Sequence, residues 1–599
     1  MLTSGNLRRY ARILSVTAMA AVASTADAIT VRVGSPSDPA CLAFTVPGAI
    51  ARLPADGSTH RILLSNNQSY PSGGVVDSRN VSIEGGYASC SAPESVSGAT
   101  TRIGPSTDGT PLLTVRTSGT TVYTTTLRRL DVAGPAAGGG VLAQGNVHVV
   151  IVDSSIREAG ASTLPAGGGV RSALGASIFL RGRTEVLGNR ANSGAGLSCD
   201  AGGRIHIESS DVLISGNVAT AVGGGVALTQ KCQLLWDPDT ASTQGGINGN
   251  RAVLGGGIYA DDGDIETSEY APLPRGPRRV IANIAEYSGG GISLNASSRM
   301  ILPGIEVSSN TAGFVNGPAN QGNCGGLSVT RSLVRLSEYR IEGNVARGYG
   351  GGGCLRNHTI FAFRTAPSCT DGACRSVSSN RAGSSGGAFW LDNNAALVLK
   401  GTRVTHNVAR LGAAIHAEHS SASAPRSTID FENALFVRNT ATIGQLFGLA
   451  NTSFNLLATT IADNATGAST INDLGGNTLA IRLSIVTAAA GTSVLTAPFG
   501  TTLSTRCVIS NENASLSANG GNATVTAPGF VDAAAGNYRL RADGNAVDAC
   551  ANIDLDLPYF DVSGNARPID LPIVNLGGSW DIGAYETQIF DQLFADGFD

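Results

Sequence analysis

The chain has 599 residues, of which 78 are glycine, nearly twice the ordinary share of ~7%, while aromatic residues make up 5% and charged residues 14%. Glycine at that level, without collagen's strict period, means frequent tight turns and fits one long repetitive body better than a string of separate globular domains. The formal net charge of −4 speaks against a nucleic-acid partner, which needs a basic stripe, and with only Lys231 and Lys400 as lysines the positive charge is almost all arginine.

Residues 1–28 have the three parts of a secretory signal: a basic start at Arg8, Arg9 and Arg12, an apolar stretch from Ile13 to Ala23, and the small-residue site Ala26-Asp27-Ala28. The mature chain is therefore expected to begin near Ile29 and to be exported. The apolar stretch is too short for a membrane span, which needs ~20 residues, and no later stretch is apolar enough, so no transmembrane span is expected. Residues 29–125 are read as an N-terminal cap and first coils.

From 126 to 510 the sequence repeats. A Val, Ile or Phe, two variable residues, an Asn, one variable residue and then usually Ala recur ten times between 186 and 466. The asparagines are Asn189, Asn217, Asn250, Asn283, Asn310, Asn344, Asn380, Asn407, Asn439 and Asn464, spaced 25 to 36 residues apart. Glycine runs such as Gly223-Gly224-Gly225, Gly255-Gly256-Gly257 and Gly289-Gly290-Gly291 follow most of them and lead into an apolar strand start. That period lies in the range of solenoids, and the short β-branched runs without helical periodicity select a β-solenoid. If each repeat is one coil, the asparagines form a column, with Asn taking the left-handed turn and passing hydrogen bonds upward.

Alternation of a Gly-Gly-x-Ile type motif with a Phe-x-x-Asn type motif resembles the repeats of polymorphic outer-membrane proteins, bacterial surface proteins with pectin-lyase-like β-helices. The resemblance covers about the middle half of the chain. It implies an all-β fold, a single-stranded right-handed parallel β-helix with an N-terminal cap and a C-terminal cap module, and adhesion or surface display. The chain departs from that family in lacking a final region with the ~10-residue alternating strands of an autotransporter barrel.

Residues 511–587 are similar to the choice-of-anchor module of bacterial β-helix proteins. The likeness rests on Tyr538-Arg539-Leu540, Gly544 to Asp548, Asp561 to Gly564, Arg567-Pro568 and Asp581 to Glu586. The tail 588–599 is similar to a short acidic-aromatic end of some exported proteins.

Ten cysteines in an exported chain suit disulfides rather than metal. Spacing suggests Cys41 with Cys90, Cys199 with Cys232, Cys324 with Cys354, Cys369 with Cys374, and Cys507 with Cys550.

No motif names a reaction. The Asp261-Asp262-Gly263-Asp264 run reads as a turn rather than a calcium site, and Asp554, Asp556 and Asp561 as parts of the C-terminal module. His416-Ala417-Glu418-His419 reads as surface residues on a strand, because metal ligation wants three or four convergent groups. No cofactor and no metal are expected.

Two functions stand: a non-enzymatic adhesion or glycan-binding protein, monomeric, with a polysaccharide or host or cell-surface ligand; and, as the alternative, a lyase or glycoside hydrolase acting on an acidic polysaccharide. Two-residue alternation in Phe389-Trp390-Leu391-Asp392 and Ile415-His416-Ala417-Glu418 sends Trp390, Asp392, His416 and Glu418 outward. Stacking then sets Trp390 beside His416 and Asp392 beside Glu418. The same register adds Tyr259, Asp261, Asn295 and Thr330, with Arg356 in an irregular coil. An exposed Trp in this polar stripe is the expected ligand contact.

Overall fold

Each repeat alternates apolar and polar side chains over a few residues and then turns, so no repeat can bury its apolar face alone; stacking on the next removes that face from water. The computed structural model describes residues 28–588 apart from 93–97, 107, 240–243, 269–275, 314–321, 364–373, 420–424, 498–500, 513–515, 517–522, 526, 552–557 and 573–576. The signal segment and nearly all of the tail thus lie outside the described residues. The fold is all-β: parallel strands form one sheet of 29 strands, one of 15 and one of 9, an arrangement consistent with a β-solenoid.

One coil shows the plan. Val226–Thr229 belongs to the 15-stranded sheet, Gln233–Trp236 and Gly246–Asn248 to the 29-stranded sheet, and Arg251–Leu254 to the 9-stranded sheet. Ile258–Asp261 then starts the next coil in register with Val226–Thr229. Val226, Leu228, Leu234, Trp236, Ile247 and Ala252 point inward and are at most 2% exposed. Burying each larger aliphatic side chain contributes ~1.5–3 kcal/mol, and the same positions repeat coil after coil. The glycine run makes the corner possible. Gly223 takes φ +62°, and a Cβ on Gly225 would stand 2.7 Å from both the Gly257 carbonyl oxygen and the Ile247 side chain.

The ten asparagines stand in one buried column. Each side-chain Nδ2 donates to the Oδ1 of the next asparagine at 2.9–3.0 Å, from Asn189→Asn217 through to Asn439→Asn464. Each Oδ1 also accepts the backbone N–H of the preceding asparagine, and the second amide hydrogen reaches a carbonyl, as in Asn217 to Val186 at 2.9 Å. Every polar atom of the buried amide is thereby used. The left-handed turn falls one residue earlier than the sequence reading placed it. Gly188, Gly216, Gly249 and Gly343 take positive φ, and so do Ala282, Ser309, Ser379, His406, Arg438 and Asp463, whereas the asparagines do not. The asparagine is the hydrogen-bonding element and its predecessor bears the backbone strain.

Stacking begins at Thr30–Val33, which pairs with His60–Ser65. The short helix Val46–Ile50 packs against these first strands, burying Val46, Ala49 and Ile50, and its first turn is capped where the Thr45 hydroxyl accepts the Gly48 N–H at 3.1 Å. Disulfides join Cys41–Cys90, Cys199–Cys232, Cys324–Cys354 and Cys507–Cys550. Cys374 is also disulfide-bonded, while its expected partner Cys369 lies outside the described residues. These bridges are compatible with an oxidising, non-cytoplasmic compartment. Among the described residues no helix is long and apolar enough to cross a membrane.

The C-terminal module packs beside the coils. It folds back along the outer face of the 29-stranded sheet, where Leu435, Val437, Ala462, Leu483, Ile485 and Ile509 are buried beneath Tyr538, Leu540, Val547, Ile582 and Ala584. Its motif residues converge. The Arg567 guanidinium meets Glu586 at 3.0 Å with both side chains wholly buried, and it also donates to Asn433 Oδ1 and to the Asp581 and Gly583 carbonyls. The Thr460 hydroxyl accepts the Ala584 N–H, and the Leu483 carbonyl accepts that of Gly583.

Candidate functional site

The outer face of the 15-stranded sheet carries the polar stripe. In register, Trp390 lies beside His416 and Asp392 beside Glu418; one coil earlier, Cys354 stands beside Trp390 and Arg356 beside Asp392. Arg356 is thus a regular member of the column, paired in turn with Thr330. Further down, Tyr259 and Asp261 pair with Ser293 and Asn295. Phe389, Leu391, Ile415 and Ala417 point into the core and are 0% exposed.

Exposure of the tryptophan is corrected by the structure. Trp390 points outward from its sheet but is 6% exposed, and His416 is 4% exposed. Tyr349 stacks on the indole at 5.4 Å with the planes 24° apart, the Arg356 guanidinium sits 4.8 Å from its centre, and Cys324 and Cys354 pack beside it. The cover comes from the preceding coil and a turn. Two-residue alternation shows which way a side chain leaves the sheet, not what lies over it.

What remains accessible is the second column: Asp261, Asn295, Thr330, Arg356, Asp392 and Glu418 are all half-buried. His416 Nε2 donates to Glu418 Oε1 at 3.0 Å, and this bond, aided by the nearby indole, holds the Glu418 carboxyl below the usual carboxylate range despite burial. The other ring nitrogen, Nδ1, has no hydrogen-bond partner and faces Gly448 of the next coil, where a Cβ would come within 2.5 Å of it. Burial lowers the affinity of Arg356 for its proton, with Asp392 opposing that effect. Tyr259 hydroxyl lies 3.4 Å from Asp261, and burial pushes its ionisation up; Asn295 Nδ2 donates to Ser293 Oγ at 3.2 Å.

The remaining sequence candidates resolve individually. Asp262 and Gly263 form the turn between strands Ile258–Asp261 and Asp264–Glu266. His419 leaves the column and meets Asn451 Nδ2 at 2.8 Å. Asp554 and Asp556 lie outside the described residues. The Asp561 carboxylate is consumed by the N–H groups of Ser563, Asn565 and Glu586 and by Asn565 Nδ2, at 2.8–3.2 Å. Among the described residues, Asp38, Cys41 and Cys90 form a cluster of metal-ligand type, but both sulfurs are spent in a disulfide.

Two features escaped the sequence reading. Phe179 stacks on His206 at 4.2 Å and meets His148 edge-on at 5.4 Å on the 29-stranded sheet, where burial takes His206 down to about 4. A groove of about 520 Å³ beside the 9-stranded sheet is lined by Arg347, Tyr349, Arg381, Gly383, Ser384 and Arg410. The arginines follow different ladder asparagines, and only the coil register brings them to one place. No protein-family model matches the chain, and no curated protein matches it at a significant level.

Proposed function

We propose that this chain is an exported, pectin-lyase-like right-handed β-helix of the surface-display kind, a monomer whose 15-stranded face binds an extended glycan without cleaving it. The observation that carries this reading is the column Asp261, Asn295, Thr330, Arg356, Asp392 and Glu418. It presents one half-buried polar side chain per coil along the stacking axis, a spacing of ~4.8 Å that suits a polymer rather than a compact ligand. Trp390 and His416 serve beneath it as supports, the His416 imidazole fixing the Glu418 carboxylate. Glu418 is held toward its ionised form, opposite to the raised carboxyl that a general acid needs.

The test is a glycan-array screen of the folded protein beside its Asp392→Asn/Glu418→Gln variant, with product assays on polyuronates run in parallel. Array binding that falls at least tenfold in the variant, at unchanged Tm, supports the reading. Unchanged binding places the site elsewhere. Release of unsaturated or reducing ends that Glu418→Gln abolishes makes the chain an enzyme instead.

A further inference from the structure

The arginine groove lies on a different face from that column, and it gathers three arginines from successive coils. Along the solenoid, several arginines are matched by acids one coil away, as Arg116 is with Asp77 at 2.9 Å, Arg171 with Asp200 at 2.8 Å, Arg181 with Glu208, and Arg299 with Asp264 at 3.6 Å. Arg251 occupies the same column of the 9-stranded sheet as Arg381 and is matched by Glu286 at 3.2 Å. The groove segments carry no acid of their own. Segments 344–353, 380–388 and 407–414 contain Arg347, Arg381 and Arg410 and not one Asp or Glu. Arg381 and Arg410 are exposed, and neither has a carboxylate partner among the described residues.

The walls are built rather than incidental. Arg347 and Arg410 occupy the same position two coils apart, Gly383 occupies it in the coil between, and Arg381 stands two residues before Gly383. Tyr349 forms an aromatic wall whose other face is stacked on the buried Trp390, which fixes the ring in place. Its backbone N–H is held by Asn323 Oδ1 at 3.0 Å. Forked guanidinium donors match carboxylate and sulfate oxygens, a fixed phenol ring offers an apolar face to a sugar, and the groove takes in three successive coils.

We propose that this groove binds a strand of anionic polysaccharide, its carboxylate or sulfate groups bridging Arg381 and Arg410 of successive coils with a sugar ring against Tyr349. A nucleic acid is the less favoured polyanion, since the net charge is −4 and a single aromatic side chain lines the groove. The inference goes beyond the binding face of the 15-stranded sheet and depends on different residues, so either can fail alone.

The experiment measures binding of the disulfide-intact protein to polygalacturonate, dextran sulfate, neutral dextran and single-stranded DNA over a salt series. Variants are Arg381→Ala/Arg410→Ala, Arg381→Lys/Arg410→Lys, and Arg190→Ala/Arg251→Ala as a charge-matched control in the same strand column. The expected result is polyanion binding that weakens with salt, falls at least tenfold in the first variant at unchanged Tm, recovers partly with lysine, and is unaffected in the control. Preference for polygalacturonate assigns the groove to carboxylated glycans, and preference for dextran sulfate to sulfated ones. Equal loss in the control, retention in the first variant, absence of polyanion binding, or equal affinity for single-stranded DNA would overturn the proposal.

Discussion

The middle of the solenoid and the C-terminal module bury polar groups in opposite ways. In the solenoid one neutral amide recurs, each copy satisfied by the next, so the cost of burial is met identically in every coil. The module instead gathers unlike charged groups at one point: Arg567, Glu586, Asp581, Asp548 and Asp561. The difference teaches where each region is vulnerable. A ladder loses one rung and keeps its neighbours, whereas a charge cluster that loses its cation leaves several buried carboxyls without their common partner.

The largest effect is expected at the hub of that cluster. Arg567→Ala strands Glu586 and removes the tie to Asn433, and breaking a buried pair in this way costs ~3–5 kcal/mol. Limited proteolysis should then release fragments from 530–588 while the β-sheet circular dichroism of the solenoid persists; a single cooperative loss of both would show that the two regions are not separable.

A smaller effect is expected in mid-ladder. Asn310→Ala leaves the Asn283 N–H and Nδ2 without their acceptor and takes the side-chain donor, though not the backbone one, from Asn344 Oδ1, at ~1–3 kcal/mol for each buried group left unsatisfied and not relieved by water. Asn464→Ala, at the last rung, removes a donor from no later asparagine and should cost less. Equal shifts in denaturant midpoint for the two variants would refute the one-dimensional account.

The smallest effect is a pH dependence confined to the module. Asp548 is wholly buried, one of its oxygens has no hydrogen-bond partner, and burial with Asp581 nearby raises it from 3.8 to about 6. A raised carboxyl favours the folded state while protonated, so this contribution is complete below pH ~3.8 and is lost as pH rises through about 6. Comparing the module's melting at pH 4 and pH 7.5 in the wild type and in Asp548→Asn isolates it, and an equal pH response in both would exclude Asp548 as its source.

The solenoid was legible in the sequence because its information is local and repeated. The Val/Ile/Phe-x-x-Asn-x-Ala pattern states which side chain faces inward, which residue bonds upward and how long the coil is, and the expected pairing of Trp390 with His416 follows from register alone. What was not legible came from residues distant in sequence. The cover over Trp390 is supplied by Tyr349, Arg356 and the Cys324–Cys354 bridge of earlier segments. The docking of the module depends on Asn433, Thr460 and Leu483, which within the repeat look like any other turn or strand residues. The left-handed site before each asparagine is Gly in four coils and Ala, Ser, His, Arg or Asp in the other six, so no single residue type advertised it.

All nine side-chain bonds of the ladder run the same way, with the donor on the earlier coil and the acceptor on the later one. Their amide dipoles therefore add along the axis instead of cancelling, as strand dipoles do across an antiparallel sheet. The stack is a vector as well as a column: its two ends differ in kind even where the coils between them are alike. Two such columns meeting end to end could continue each other's wiring only head to tail, an open-ended mode that no two-fold axis can satisfy.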